Sequence, residues 1–384
     1  MIVFKITELN SRKRAIAISS SILYSFLLLI ILNLNVNFLS LHGHMLAQAI
    51  KIGDYNDTLK KQQIQTQLSL ISNSEKATNP DTRIYSTQWL RNGIIQGAMT
   101  DPSGNEDGNA DLVNSFNNLA GKKIGVAYFS DNWFHGIHFP LDKCVSIRTT
   151  GVVPFIRIQN WIREGDKLSD AGPYTNKNIA AGMFDTALRD YAQAAKSFGT
   201  TLLIEYGVEI NGNWFPWSQE GPQPYKVAYR HIVNLFREEG ATNVRWAFHV
   251  DATDNDNGYK WYPGDDIIDW VGTSCYGALG YGQQGCIAEL NRIYDNFSTI
   301  SKTKPLGIFE WGIGDPADTA NVLHTIATDP KFSRIKLLQV WNEGVVPGHP
   351  EDLVPDGRIN ATPGNLKAYR NGIDNPAYVS VYHD

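Results

Sequence analysis

The sequence has few cysteines and no basic patch, and these absences exclude several classes of protein. Lysine and arginine number 34 against 39 aspartates and glutamates, which gives a formal net charge of −5. Nucleic acid is therefore not an expected partner. We expect a monomer, in which three cysteines leave at least one thiol unpaired. Cys275 and Cys286 either close a short loop as a disulfide in an oxidising compartment or lie buried as small apolar side chains.

Motifs that would identify other chemistry are also missing. No Gly-x-Ser-x-Gly run marks a serine esterase. His135 and His138 lack the helical spacing and the third ligand of a zinc site. Residues 254–258 resemble a calcium loop only in part, because the closing glutamate at the twelfth position is missing. We therefore expect neither a metal nor a cofactor.

The first fifty residues predict export. The basic run 12–14 precedes residues 15–50, which contain no Asp, Glu, Lys or Arg. This is the pattern of a secretory signal. A small-x-small cleavage site at 47–49 favours removal, but residues 15–41 approach the ~20 apolar residues that span a bilayer. We expect a secreted or extracellular protein, anchored to the membrane if residues 1–50 are not cleaved, with 51–83 as a polar linker.

Residues 84–384 predict an α/β fold, a (β/α)₈ TIM barrel. Short apolar runs alternate with helical stretches such as Asp185–Phe198 and Tyr225–Glu239, the second ended by Gly240. An open doubly wound sheet would show a glycine-rich phosphate loop after its first strand, and residues 101–104 form no such loop. The predicted strands are Gly93–Met99, Lys123–Phe129, Val152–Ile158, Thr201–Val208, Val244–Val250, Ile268–Cys275, Pro305–Phe309 and Ile335–Val340.

Two glutamates end predicted strands, where barrel enzymes place their chemistry. Glu209 follows the fourth strand and opens the run Glu-Ile-Asn-Gly-Asn-Trp-Phe-Pro-Trp, and Glu310 follows the seventh, before Trp-Gly. Paired carboxylates beside aromatic residues are suited to cleaving glycosidic bonds. Glu205 shares the side-chain parity of Glu209, so we interpret it as a paired structural carboxylate that raises the pKa of Glu209 by like-charge repulsion.

Aromatic and polar residues near the same strand ends are candidates for binding sugar. Trp341 ends the eighth strand and suits a floor under the cleaved sugar. Tyr276, after the sixth strand, is placed to hydrogen-bond the nucleophile. The remaining candidates, for which loop packing is the alternative, are Trp161, His249 and Asp251, with Asn211 and Trp214 in the run after Glu209.

At these residues the chain resembles glycoside hydrolase family 26, the β-mannanases and their β-glucanase relatives in the retaining barrel clan. The similarity covers roughly residues 90–375. Its carriers are the run 209–217, the run Trp-Tyr-Pro-Gly-Asp-Asp at 261–266 leading into Asp-Trp-Val-Gly at 269–272, and the Phe-Glu-Trp-Gly turn at 309–312.

The resemblance implies a role for each matching position. Glu209 matches the acid/base, Glu310 the nucleophile and Tyr276 the tyrosine beside it, while Trp214 and Trp341 match aromatic residues that contact sugar. Val208 departs from the pattern, because the family usually has histidine immediately before the acid/base, and a polar contact near the sugar 2-position is lost.

The implied function is a retaining endo-β-glycanase with polysaccharide as substrate. β-1,4-Mannan is the first choice, and β-1,3/1,4-glucan or xylan is the alternative. A hypothesis of another class is a carbohydrate-binding barrel that uses the same aromatic residues without turnover.

Overall fold

The computed structural model describes residues 93–164, 167–168, 172–252, 258–276, 285–312, 314–344 and 356–382. The predicted export segment, the linker and all of the partial calcium loop except Gly258 lie outside these residues. None of the helices in the described part of the chain has both the length and the apolar character needed to cross a membrane.

Eight parallel strands form a closed barrel, as the sequence predicted. They are β1 (Ile94–Met99), β2 (Val126–Asn132), β3 (Val153–Gln159), β4 (Leu202–Tyr206), β5 (Val244–Val250), β6 (Trp270–Cys275), β7 (Leu306–Trp311) and β8 (Ile335–Trp341). Each strand pairs with the next in chain order, and β8 pairs with β1 to close the sheet. A further short strand, Tyr378–Val379, pairs with the start of β1, and a two-stranded hairpin joins Arg163–Glu164 to Lys167–Leu168.

Helices follow the strands around the barrel. They are α1 (Ala110–Ala120), α2 (Leu141–Arg148), α3 (Asn176–Ala180), α4 (Asp185–Phe198), α5 (Pro222–Glu239), α6 (Gly258–Trp261), α7 (Cys286–Ile300), α8 (Pro316–Thr328) and α9 (Pro363–Ile373). Single 3₁₀ turns occupy Trp133–His135, Pro216–Ser218 and Pro330–Phe332.

Local sequence explains where these helices begin and end. Helix α4 buries one face at three- and four-residue spacings, which directs this face toward the barrel: Leu188, Tyr191, Ala195 and Phe198. Helix α5 ends at Gly240, whose φ of 78° is the left-handed conformation that favours glycine. Helix α9 begins at Thr362, whose side chain accepts from the amide of Asn365.

The barrel interior changes character along its axis. Its apolar core extends from the amino-terminal end and includes Val126, Phe155, Leu203, Trp270 and Leu337. Toward the carboxyl ends of the strands, polar residues replace apolar ones. In strand register Arg157 lies beside Glu205, and Ser274 lies beside Glu310. The apolar layers support a polar layer near the carboxyl ends of the strands.

Cys275 and Cys286 form a disulfide, so the pairing that the sequence left open is made. It joins the end of β6 to the first residue of α7, with the two Cα atoms 5.5 Å apart. Cys144 is buried and unpaired.

Candidate active site

A β-bulge directs Glu310 into the barrel. The register between β6 and β7 shifts by one residue, from Thr273–Ile308 to Ser274–Glu310. Phe309 belongs to the apolar core, so strict alternation would point Glu310 outward, and the bulge brings both residues to the interior. The Phe309 ring lies over Gly272 and Gly307, where an added Cβ would approach it to 2.0 and 2.4 Å.

A hydroxyl and a guanidinium hold the two oxygens of the Glu310 carboxylate. The Tyr276 hydroxyl donates to Oε2 at 2.8 Å, and Arg157 Nη1 lies 3.4 Å from Oε1. The Arg157 guanidinium is stacked 5.1 Å from the ring centre of Trp341 and also pairs with Glu106, at 3.4 Å. Glu310 is 4% exposed, so these contacts fix its carboxylate in a nearly dry environment.

Burial and neighbouring groups shift the pKa of Glu310 in opposite directions. Burial raises the pKa of its carboxyl above the ordinary value, while the positive charges of Arg157 and His249 and the Tyr276 hydrogen bond lower it. Glu205 adds a smaller upward effect. The arrangement keeps an anion in place by specific donors rather than by water.

Glu209 lies outside the regular strand, three residues past the end of β4. Its φ is 47°, and among the described residues other than glycine, Glu106 is the other position with positive φ. Left-handed backbone costs energy in such residues and concentrates at functional sites. The Trp214 indole donates to Glu209 Oε2 at 2.9 Å and lies against Gly212, where an added Cβ would meet the ring at 2.4 Å.

The environment of Glu209 favours its protonated form. Burial of the carboxyl, followed by the negative charges of Glu310 and Asp251, raises its pKa to about 7. His249 and a hydrogen bond from Ser274 act in the opposite direction. A carboxylic acid with this pKa is a proton donor near neutral pH.

Glu205 is a paired, fully buried carboxylate, as expected. Its oxygens bind the Tyr128 hydroxyl and His249 Nδ1, the latter at 3.1 Å. Its charge contributes to the raised pKa of Glu310, whereas the charges that raise the pKa of Glu209 belong to Glu310 and Asp251. The predicted effect of Glu205 on the pKa of Glu209 therefore stays a prediction, and the main carboxylates that raise this pKa are Glu310 and Asp251.

The aromatic candidates occupy different depths of the mouth. Trp214 is 50% exposed, while Trp161 and Trp341 are half-buried. The Trp161 indole donates to Asn132 Oδ1 at 2.7 Å and its ring lies 5.9 Å from that of Phe215. These rings present apolar faces on which sugar C–H groups can pack.

Two polar candidates are engaged within the protein. The Asn211 amide bridges the backbone of Asp251, accepting from its N–H at 2.7 Å and donating to its carbonyl at 3.0 Å. His249 is fully buried between Glu205 and Ser274, with Nε2 2.9 Å from Ser274 Oγ. For both residues, contact with sugar stays a prediction, and their observed contacts support the backbone and the buried layer.

Four residues at the site escaped sequence reasoning: Tyr128, Arg157, Ser274 and Glu106. A signal existed for Arg157, a lone charge in the apolar strand Val-Pro-Phe-Ile-Arg-Ile-Gln. A buried arginine requires an anion, and the anions here are Glu106 and Glu310. Within the described residues, no group of three or more His, Cys, Asp or Glu side chains is arranged to hold a metal ion.

Fold and site together define a class of protein, a (β/α)₈ barrel with two glutamates at the carboxyl ends of β4 and β7. The model of glycosyl hydrolase family 26 matches residues 168–314, which include both glutamates. The resemblance to family 26 that the motifs indicated is thereby confirmed.

Relatives and solved structures agree with this assignment. The chain is 26% identical over 277 residues to endoglucanase H of Acetivibrio thermocellus, covering 68% of this chain and 29% of that protein. It is 28% identical over 165 residues to a mannan endo-1,4-β-mannosidase of Bacillus subtilis, covering 40% and 42%. A β-mannanase of Bacteroides ovatus has the same fold, with a TM-score of 0.54, 18% identity, and 77% and 92% of the chains covered. The chain spans less than half the length of the curated relatives it matches.

Proposed function

We propose that this protein is a retaining endo-β-glycanase, with β-1,4-mannan as its first-choice substrate. The observation that carries the proposal is the difference between the two glutamates at the barrel mouth. Glu209 has a pKa of about 7, and Glu310 is bound by Arg157 and Tyr276. Two carboxyl groups with opposed environments supply the acid and the nucleophile that this reaction needs.

In the first half-reaction Glu310 attacks the anomeric carbon. The bond to the leaving sugar breaks, and Glu209 gives its proton to the departing oxygen. Tyr276 holds Oε2 of Glu310 and Arg157 faces Oε1, so the carboxylate keeps one orientation before attack. The product of this step is a covalent glycosyl-enzyme.

In the second half-reaction Glu209 acts as the base. It takes a proton from water, which attacks the anomeric carbon and releases Glu310. The acid must lose its proton in the first step to be a base in the second. Two inversions leave the configuration of the sugar unchanged.

Trp341 is the proposed floor for the sugar that is cleaved. Its ring lies beside the Arg157 guanidinium and 6.1 Å from the Tyr128 ring, next to the carboxylate that attacks. Trp214 hydrogen-bonds the other carboxyl group, and Trp161 packs against Trp217, with ring centres 5.5 Å apart. Both rings are proposed as further stacking surfaces for a chain of sugars.

Mixed-linkage β-glucan is the second candidate substrate. The match to endoglucanase H covers 68% of this chain. In addition, Val208 stands where family 26 usually has a histidine before the acid/base. Both mannan and glucan are compatible with the same pair of glutamates.

A hydrolysis screen tests the function and the substrate together. Residues 51–384, the linker and the barrel, are incubated with mannan, lichenan and xylan, and reducing ends are measured. Glu310→Gly is the control for contaminating activity. We expect release from mannan above the other two. Faster release of reducing ends from lichenan would favour the glucanase. If the unmodified protein and Glu310→Gly both bind polysaccharide and neither releases reducing ends, the carbohydrate-binding barrel would be favoured.

We also propose that residues 1–50 export the protein, as a cleaved signal or as an anchor, and that the barrel acts as a monomer on polysaccharide outside the cell. The basic start and the charge-free segment 15–50 support export. Fractionation of expressing cells, followed by mass measurement of the exported chain, distinguishes cleavage near residue 49 from retention. Protein that stays in the cytoplasm would contradict the proposal.

A further inference from the structure

Arg157 forms ion pairs with two carboxylates, and one of them, Glu106, takes no part in the two half-reactions. Glu106 lies between β1 and α1, and its Oε2 is 3.4 Å from Arg157 Nη1. The same nitrogen is 3.4 Å from Oε1 of Glu310. One cation is therefore equally far from the proposed nucleophile and from a second anion.

Glu106 is held toward Arg157 by β2. The Ser130 N–H donates to the carbonyl of Glu106 at 2.9 Å, and the Ser130 hydroxyl donates to its Oε2. The backbone of Glu106 is left-handed, with a φ of 52°, a conformation that concentrates at functional sites in residues other than glycine. Its side chain is 24% exposed, so this carboxylate lies nearer to solvent than the guanidinium does.

The Arg157 guanidinium lies among aromatic rings, where water does not solvate its charge. Arg157 is 4% exposed, and its Cζ is 5.1 Å from the ring centre of Trp341 and 6.0 Å from those of Tyr128 and Phe215. Among the residues that the structure describes, none accepts a hydrogen bond from Nη1. A buried cation in such surroundings depends on the charge of nearby anions.

Both carboxylates contribute that charge. Burial lowers the pKa of Arg157, but the charge of Glu106, followed by that of Glu310, raises it well above the ordinary value. Both contacts are longer than the about 2.7–2.9 Å of a hydrogen bond between charged groups. The guanidinium thus lies between the two anions without closing on either.

The charge balance around Arg157 changes when Glu310 reacts. Before attack, Arg157 has two anionic partners. In the glycosyl-enzyme Glu310 is an ester and carries no charge. A buried guanidinium that loses its anion is destabilised, so the remaining carboxylate, Glu106, determines how costly this state is.

We propose that Glu106 is a positioning residue that keeps Arg157 paired while Glu310 gains and loses the glycosyl group. Glu106 forms no bond to the sugar and exchanges no proton. It acts through Arg157, which it holds beside Oε1 of Glu310 while that oxygen is charged and pairs with once Glu310 is an ester. The inference rests on the proposed function, because it assigns the anion that balances Arg157 in the glycosyl-enzyme.

Other titratable groups also face Glu310, and a substitution of Glu106 leaves all of them in place. They are Tyr128 on β2, Arg157 on β3, Glu205 on β4, Glu209 after β4, His249 on β5 and Tyr276 after β6. A change in the pKa of Glu310 after such a substitution is therefore assigned to the pairing of Arg157.

Carbon-13 NMR of glutamate carboxyl groups tests the pairing without any need for activity. Glu106→Gln keeps the length of the side chain and an oxygen that accepts from Ser130, but it removes the charge. Arg157 then acts on Glu310 alone, so the pKa of Glu310 should fall by about 1 unit. The Glu310 signal is assigned by its loss in Glu310→Gln.

Asp107→Asn is the matched control. It removes the same charge from the next residue, whose carboxylate pairs with Lys143 at 2.6 Å, and it should leave the Glu310 titration unchanged. Glu106→Asp keeps the charge but withdraws it from Arg157 by one methylene, so its Glu310 pKa should lie between the other two values. It also carries the test if Glu106→Gln does not fold. The same Glu310 titration in the wild type and in the folded Glu106 variants would overturn the proposal.

Pre-steady-state kinetics on an activated aryl β-glycoside test the charge balance during the reaction. In Glu106→Gln the ester leaves Arg157 without an anion, so formation of the glycosyl-enzyme should slow by about tenfold or more. Breakdown restores the Glu310 carboxylate, so it should be at least as fast as in the wild type. A merely structural role would slow both steps alike, and that result would contradict the proposal.

The two measurements separate this proposal from the proposed function. A lowered Glu310 pKa in a Glu106→Gln protein whose parent hydrolyses no β-glycan would support the shared pairing of Arg157 and refute the glycanase. An active glycanase in which Glu106→Gln changes neither the titration nor the rate of ester formation would do the reverse.

Discussion

The surroundings of Glu310 and Glu209 differ in how each carboxyl group is held. Glu310 projects from a regular strand at a bulge, where Arg157 forms an ion pair with one carboxylate oxygen and the Tyr276 hydroxyl donates to the other. Glu209 lies on a left-handed turn beyond its strand and accepts a hydrogen bond from the exposed indole of Trp214. The first carboxyl group is held by a buried cation and a hydroxyl, and the second by an indole N–H.

The difference shows that one residue type can take two roles on one scaffold. Burial raises the pKa of both carboxyl groups; the charges of Arg157 and His249 and the Tyr276 hydrogen bond oppose this for Glu310, whereas the carboxylates of Glu310 and Asp251 add to it for Glu209. The backbone geometry matches these roles. A strand residue keeps its orientation through the sheet, and a turn residue is set by a few local contacts.

The largest expected effect comes from removing the side chain of Glu310. Glu310→Gly leaves no group to form the glycosyl-enzyme, so hydrolysis of every substrate should fall to background. Azide or formate should restore turnover of an activated aryl β-glycoside with the opposite stereochemistry, because a small anion occupies the emptied space and attacks from that face. Measurement of reducing ends and of aryl alcohol release checks this, with Glu238→Ala on the exposed surface as the control. Substantial activity in Glu310→Gly would show that another residue attacks the sugar.

Removing the side chain of Glu209 should have a smaller effect on hydrolysis, and one that depends on the leaving group. Glu209→Ala lacks the proton donor, so polysaccharide hydrolysis should fall by about 10²–10⁴-fold. Activated aryl glycosides need little protonation and should still form the intermediate, which azide then releases as a product of retained configuration. Steady-state and burst kinetics on both substrate types measure this. If Glu310→Gly shows this behaviour and Glu209→Ala does not, the two roles are exchanged.

Removing the hydrogen bond to Glu310 should have a smaller effect than removing either glutamate. Tyr276→Phe removes a hydrogen bond to a charged group, worth ~1.5–3 kcal/mol, so kcat/KM should fall by about tenfold to a hundredfold. Tyr262→Phe is the matched control, because its hydroxyl binds Asp265 instead of Glu310. Equal losses in the two variants would mean that Tyr276 has no specific role at the nucleophile.

The pH dependence of the unmodified enzyme should distinguish the two environments without any mutation. Glu209 is active as an acid only when protonated, and its pKa is about 7. Activity should therefore decrease as the pH rises through about 7, and it should decrease at low pH when Glu310 is protonated and no longer attacks. A profile of kcat/KM measures both limbs. Activity that stays constant from pH 6 to 9 would contradict the assignment of Glu209.

The sequence predicted the barrel well because its strands are buried on both faces and are therefore continuous apolar runs. All eight predicted strands are confirmed. One of the larger differences in bounds is at the second strand, predicted as Lys123–Phe129 and observed as Val126–Asn132. Helix ends were readable where local chemistry determines them, as at Thr362 and Gly240.

The site was predicted less completely because it depends on contacts between distant segments. The bulge at Phe309 and the left-handed Glu209 have no simple sequence signal, yet they determine which carboxylates face each other. The hydrogen bond from Tyr276 to Glu310 is present as predicted, while Arg157 required knowledge of which strand lies opposite. The catalytic roles of both glutamates stay predictions.

The most direct test is the configuration of the first product of hydrolysis. If Glu310 forms a covalent intermediate and Glu209 releases it, the two carboxyl groups should lie ~5–5.5 Å apart and the reaction should retain configuration. Proton NMR recorded during the first minutes of polysaccharide or oligosaccharide hydrolysis should show the β-anomer before mutarotation produces the α-anomer. An α-anomer appearing first would contradict the account, because it requires a water molecule between the sugar and the second carboxylate.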